Sequence, residues 1–336
     1  MIRICVNLTI KHHCMKNIFK LILLLLVFAS GFGCSDNEKV FIQRFDRVVV
    51  DFPNMSRVDR DSALSLYSPV VSFMQHVTDV DNVDTLMCLL ANSRAVAVFQ
   101  PDIERLLPDV SSIEYDLGAL KRAVEVQLPS ISFPRHIYGA VVPYEQSVIV
   151  LDSAIIVGLN HYLGVDYEGY AAFENYRRVL KIPERIVYDI AEALVRSTFP
   201  YAPDLEDTLF SRMAYEGMIV YTVKSLVENS DLAFVLGYDK NQLKWAFENE
   251  SRIWHKIVSD NLLYSTDPSI TMRLVEPSSA SLIINSAAPG RIGRYVGYKI
   301  VSNYLKGDSD LSLESLFVKR IYNSPQMLID ADYKGG

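Results

Sequence analysis

Cysteine is nearly missing from the body of this chain. Of four in 336 residues, Cys5, Cys14 and Cys34 lie at the start and only Cys88 remains beyond them. A disulfide needs two thiols able to meet, so no disulfide framework holds this fold. Cys88 falls in the apolar run Leu86, Met87, Cys88, Leu89, Leu90 and is expected to be a buried packing thiol, not a nucleophile. Histidine is also scarce. His76, His136, His161 and His255 are those past the start, none paired at a metal-ligand spacing, and each is expected to be structural or exposed. No Gly-x-Ser-x-Gly context supports a hydrolase triad. Positive charge is in deficit: 33 Lys and Arg face 40 Asp and Glu, a formal net charge of −7, and no basic cluster follows residue 20. Nucleic acid is therefore not an expected partner, since that affinity comes from clustered cations. With neither a phosphate loop nor a dinucleotide fingerprint, no cofactor is expected.

What is present begins with an export signal. Lys11, Lys16 and Lys20 precede an apolar stretch over 21–29, then small residues and the pair Gly33, Cys34. The apolar run is too short to span a membrane comfortably. Met15 opens a well-proportioned signal by itself, which suggests that it is the true start. The Gly33–Cys34 junction resembles a bacterial lipobox, which implies removal of residues 1–33 and acylation of Cys34. Acyl chains add about 0.8 kcal/mol per buried methylene, enough for durable attachment when several are present. The expectation is a lipoprotein of the cell envelope, outer membrane favoured, whose partners are the bilayer and other envelope proteins. Residues 34–42 then form a tether, and Ser35, Asp36, Asn37 and Glu38 resemble an acidic surface-export tag.

From residue 43 to 330 no long Pro, Gly or Ser linker and no repeat interrupts the chain, which favours a single domain, with 331–336 as a flexible tail. Apolar residues recur at three and four over 63–77 and 85–99, as in amphipathic helices. Short β-branched stretches at 137–142, 148–151 and 154–157 read as a small sheet. Helical patterns follow at 183–199, 208–227, 241–261 and 293–305. The fold class is α+β, predominantly α-helical with a small central β-sheet. Asp79, Asp81, Asn82 and Asp84 lack the glycine and distal Glu of a calcium loop and read as a solvated acidic turn.

Several short patterns occur in a recognisable order: Arg44, Phe45, Asp46; Gly158 to Gly164 (GLNHYLG); Trp245 with Asn249, Glu250 and Trp254; Leu263 to Asp267 (LYSTD); and the run PGRIGRYVGYKIV from Pro289. Together they resemble the gliding-motility-associated lipoprotein GldB family of the Bacteroidota. That resemblance spans the mature chain and implies an envelope lipoprotein with no established catalytic activity, acting through protein contacts.

The layout is also similar, more distantly, to gluzincin-type zinc peptidases, in which a sheet precedes a helix carrying His-Glu-x-x-His and a Glu on the following helix completes the zinc site. Here the aligned helix has Tyr188 and Glu192 where the histidines would stand, and Glu216 occupies the third-ligand setting. The resemblance implies a degenerate zincin-like fold; the alternative function is a zincin-like metallopeptidase, active or vestigial. Neither catalytic nor metal residues are assigned. Tyr188, Asp189, Glu192 and Arg196 share one helix face with Arg185, and Arg212 and Glu216 follow at the same four-residue spacing. They either line a vestigial cleft as an ionic cluster or form a solvated face. A partner for Glu216 is expected at Arg196 or Arg212. Gly290, Gly293 and Gly297 favour close helix packing over anion binding. Trp245, Phe247, Trp254 and Ile257 are expected in the core.

Overall fold

This computed structural model describes residues 38–142, 145–307 and 311–336. The export segment, Cys34 and most of the tether lie outside them. Residues 39–336 form one compact unit. It is an α+β fold, mostly helical, around a small mixed sheet.

The first strand, β1 (Ile42–Arg44), was not apparent from the sequence, being too short to show alternation. It runs straight into α1 (Phe45–Asp51). At the junction Arg44 grips Asp46 with two bonds, of 2.8 and 2.7 Å, and also reaches Glu104 at 2.9 Å. The apolar runs that follow break sooner than their periodicity suggests. The first divides into α2 (Arg57–Leu66) and α3 (Ser68–Thr78), because Pro69 fits only the opening turn of a helix. The second divides into α4 (Val83–Ala91) and α5 (Arg94–Leu106), where Ser93 accepts the Val96 N–H at 3.2 Å and starts a new helix. The acidic turn closes α3 at Asp79 in a left-handed conformation and caps α4 through Asn82, which accepts from Thr85 N at 2.8 Å. Cys88 is exposed, contrary to expectation. α4 buries Leu86 and Met87, and one further 100° step along the helix carries Cys88 outward.

After α6 (Ser111–Gln127) come β2 (His136–Ala140), β3 (Val148–Val150) and β4 (Ala154–Gly158). The sheet order is β1-β2-β4-β3, with β1, β2 and β4 parallel and β3 antiparallel on one edge. Every residue of β4 is buried, which explains its uninterrupted apolar sequence: a strand covered on both faces has no reason to alternate.

The second half opens with the short α7 (Asn175–Arg178), then α8 (Arg185–Thr198), α9 (Leu209–Leu226) and α10 (Leu232–Leu236). α9 is buried on nearly every face, as the middle helix of a bundle must be. The expected helix over 241–261 is two, α11 (Lys240–Glu248) and α12 (Glu250–Ser259), split where the Asn249 side chain turns back to Trp245 O at 2.9 Å. The break resets the helical phase. Phe247 is therefore 68% exposed and Trp245 only half-buried, a correction to the expected core, whereas Trp254 and Ile257 are buried.

The chain ends with α13 (Pro268–Val275), α14 (Ile292–Gly307), α15 (Leu313–Val318) and α16 (Gln326–Asp330). Its last residues are not a loose tail. Ala331 and Tyr333 are buried, the Tyr333 ring packs edge-on against Trp254, and its hydroxyl donates to Glu250 Oε1 at 3.0 Å. Among the described residues no helix is long and apolar enough to cross a membrane.

Candidate functional site

Helix α8 presents Ile186, Val187, Ile190 and Leu194 to the core and a charged ladder to its other side. At the first rung Arg185 donates to Asp189 Oδ1 at 2.8 and 3.2 Å and to the Phe234 carbonyl. Tyr162 donates to the other Asp189 oxygen at 2.9 Å. Tyr188 stands edge-on to Phe234, with ring centroids 4.7 Å apart. One turn further, Glu192 accepts from Arg196 at 3.0 and 2.8 Å and from Arg294 of α14 at 3.1 and 3.2 Å. Glu216 of α9 accepts from Arg196 at 2.8 and 2.6 Å, and Arg294 Nε lies 3.1 Å from its Oε2. Two carboxylates and two guanidiniums thus close a ring across three helices.

Of the expected cluster, Tyr188, Asp189, Glu192, Arg196 and Glu216 come together and Arg212 does not. Arg212 points away to Asp207, at 2.8 and 2.6 Å, and lies over the Tyr201 ring. Arg294 was missed as a partner. It is 1% exposed and 102 residues from Glu192 in sequence, inside a run whose glycines drew attention instead. A guanidinium amid otherwise apolar and glycine positions is the signal that could have found it, since a fully buried arginine requires an acid.

Electrostatics agree with the geometry. Burial by itself would raise both carboxyls, but Arg294 and Arg196 hold Glu192 well below its ordinary value, and Arg196 and then Arg294 hold Glu216 below. Burial and then the Asp189 charge push the Tyr162 phenol well above its ordinary value, so it stays a donor. Both glutamates are ionised at neutral pH, and the guanidiniums that hold them lower their basicity.

The glycines explain how the ring can close. A Cβ on Gly297 would lie 1.7 Å from Met213 O, and one on Gly217 would lie 2.0 Å from the Gly297 carbonyl carbon. α9 and α14 therefore touch backbone to backbone, which brings Arg294 within reach of Glu216. Gly293 packs against Leu274 O, 2.9 Å from where its Cβ would be, and Gly290 against Ser278 O at 1.8 Å.

Beside the ladder opens a cavity of about 960 Å³, whose lining includes Asn160, His161, Tyr162, Lys181, Asp189 and Arg291. His161 Nδ1 lies 3.1 Å from Lys181 Nζ. Among the described residues no group of three or more His, Cys, Asp and Glu could hold a metal ion.

Residues 34–335 match the family described as gliding motility protein GldB. The chain belongs to that family. No curated protein and no solved structure matches it. The short patterns noted in the sequence have structural work in this GldB-family fold. Asn160, in the GLNHYLG stretch, clamps Val142 through both its N–H and its carbonyl, at 2.8 and 2.9 Å. Leu263 and Ser265, in LYSTD, accept the Phe210 and Leu209 N–H groups at 2.8 and 3.0 Å and so cap α9. Glu250 is buried, and its carboxylate takes Tyr295 at 2.7 Å, Tyr333 at 3.0 Å and Lys299 at 3.2 Å.

Proposed function

We propose that this gliding-motility-family protein is a lipid-anchored component of the cell envelope, held through an acylated Cys34 at the outer membrane and acting through protein contacts without catalysis. The observation that carries the non-catalytic reading is the ring formed by Glu192, Arg196, Glu216 and Arg294. A zincin-like hydrolytic centre needs a carboxylate free to take a proton or to bind a metal. Here Glu192 accepts charge-assisted bonds from Arg196 and Arg294, Glu216 accepts two from Arg196 with Arg294 Nε 3.1 Å away, and Tyr188 is turned onto Phe234. The lipid anchor rests on the signal and the Gly33–Cys34 junction.

Two measurements test the reading. Cys34→Ala is expected to abolish palmitate labelling and to release the protein from the membrane fraction; equal labelling of the variant would remove the anchor. The purified protein is expected to hold less than one equivalent of zinc and to cleave no peptide. One tightly bound zinc released by Glu216→Ala would replace this reading with the metallopeptidase alternative.

A further inference from the structure

The ion-pair network beside the large cavity carries more positive than negative charge, and it meets the cavity wall at Asp189 and Arg291. Four guanidiniums, of Arg185, Arg196, Arg291 and Arg294, surround the carboxylates of Asp189, Glu192 and Glu216. Three of the arginines reach a carboxylate oxygen, at 2.8 Å for Arg185, 2.6 Å for Arg196 and 3.1 Å for Arg294. Arg291 forms no ion pair among the described residues, and Glu192 and Glu216 act on it only from farther off. Its one side-chain hydrogen bond among the described residues is long, 3.4 Å from Nε to the Val275 carbonyl, and the residue lines the cavity. Burial and the neighbouring Arg294 push its guanidinium down to about 10, which leaves it charged at neutral pH. Its backbone is left-handed, with φ of 59°, a conformation that glycine would adopt without strain.

A second cation lines the same space. Lys181 bonds His161 and sits over the rings of Tyr170 and Phe173, 5.1 and 4.9 Å from their centroids, and among the described residues no carboxylate lies within ion-pair distance of it, Asp189 acting from farther off. Arg177 and four acids also line the space, and among the described residues none of these acids lies within ion-pair distance of Arg291 or Lys181. Asp189 is held by Arg185 and Tyr162, and Asp239 caps α11 by accepting from Gln242 N at 2.8 Å. Glu145 and Glu174 are exposed. The walls include the aromatic side chains of Tyr162, Tyr170, Phe173 and Phe234, and a volume of about 960 Å³ far exceeds what an inorganic anion fills.

We propose that this cavity binds a small organic anion, a carboxylate or phosphate on an aromatic or otherwise apolar body, with Arg291 forking onto the anionic group and Lys181 as the second cation. This site is independent of the lipid anchor and of whether the ion-pair ring is catalytic. It is tested by calorimetric titration of the full chain in nonionic detergent with phenyl phosphate and phenylacetate, beside neutral benzyl alcohol. Saturable binding of at least one anion is expected, with benzyl alcohol at least tenfold weaker. Arg291→Gly removes the guanidinium while keeping a backbone that tolerates φ of 59°, and should weaken anion binding tenfold or more in a protein that still unfolds cooperatively. Lys181→Gln should weaken it as well, whereas Arg212→Gln, a cation paired elsewhere, should not. No saturable binding of either anion, equal binding by benzyl alcohol, or unchanged affinity in both Arg291→Gly and Lys181→Gln would overturn the proposal.

Discussion

At the scale of single residues, the least replaceable positions are those where one backbone lies against another. Gly297 in an exposed helix would gain about 1 kcal/mol from replacement by alanine, through helix propensity. Here the added carbon would stand 1.7 Å from Met213 O, a backbone atom that cannot swing aside. Gly297→Ala is therefore expected to lower stability, by about 1–3 kcal/mol or more as the helices are forced apart. Gly307 supplies the control. The nearest atom to its Cβ would be Asp330 O at 3.9 Å, an ordinary contact, so Gly307→Ala should be neutral or slightly stabilising. Urea unfolding of the two variants beside wild type checks both, and equal midpoints for all three would contradict the close-packing account.

Between elements, the ionic ring fixes how α8, α9 and α14 sit together. Breaking one member leaves the others buried and uncompensated, a loss of about 3–5 kcal/mol for a buried pair and near zero for a surface one. Glu216→Gln should fall near the larger figure in denaturant unfolding. Arg212→Gln, whose Asp207 partner is exposed, should barely register. The same ring sets a pH dependence. Glu192 and Glu216 have folded values below their ordinary 4.5, so the unfolded chain binds protons first as the medium acidifies. Their stabilisation is complete above that ordinary value and is lost as pH falls through the folded values. Stability measured from pH 7 down to about 2 should decline in wild type once the pH passes below the ordinary carboxyl value, and the decline should be shallower in Glu216→Gln.

Over the whole molecule, the two ends of the described chain are tied into the body in different ways. Arg44 pins the first strand to α5 through Glu104, and Tyr333 closes the far end over Glu250. Truncation after Asp332 removes a hydroxyl donor from a buried carboxylate, a group whose desolvation costs about 1–3 kcal/mol when a partner is lost. The shortened protein should melt lower. Limited proteolysis of the intact chain should spare the last residues, and ready trimming beyond residue 330 would show that the end is free after all.

Much of this arrangement was legible in residue order because it depends on neighbours. The α+β class, three of the four strands and the helices over 183–199, 208–227 and 293–305 follow from periodicities of two and of 3.6, and an arginine partner for Glu216 follows from acid and base on neighbouring helices, with the choice of Arg196 over Arg212 left to packing. The family was readable too, since short patterns in fixed order survive where no single one is decisive. Other features depend on contacts between distant segments, which no periodicity records. The strand at Ile42–Arg44 exists because β2 pairs with it, and Arg294 meets Glu192 only because Gly217 and Gly297 let two helices touch. The exposure of Cys88 and Phe247 was settled by helix phase after breaks at Ser93 and Asn249 had fixed where each helix ends. Local sequence determines which element forms and where its apolar side lies; which charge answers which is decided only when the helices pack, because a buried ion pair needs proximity in space and not in sequence.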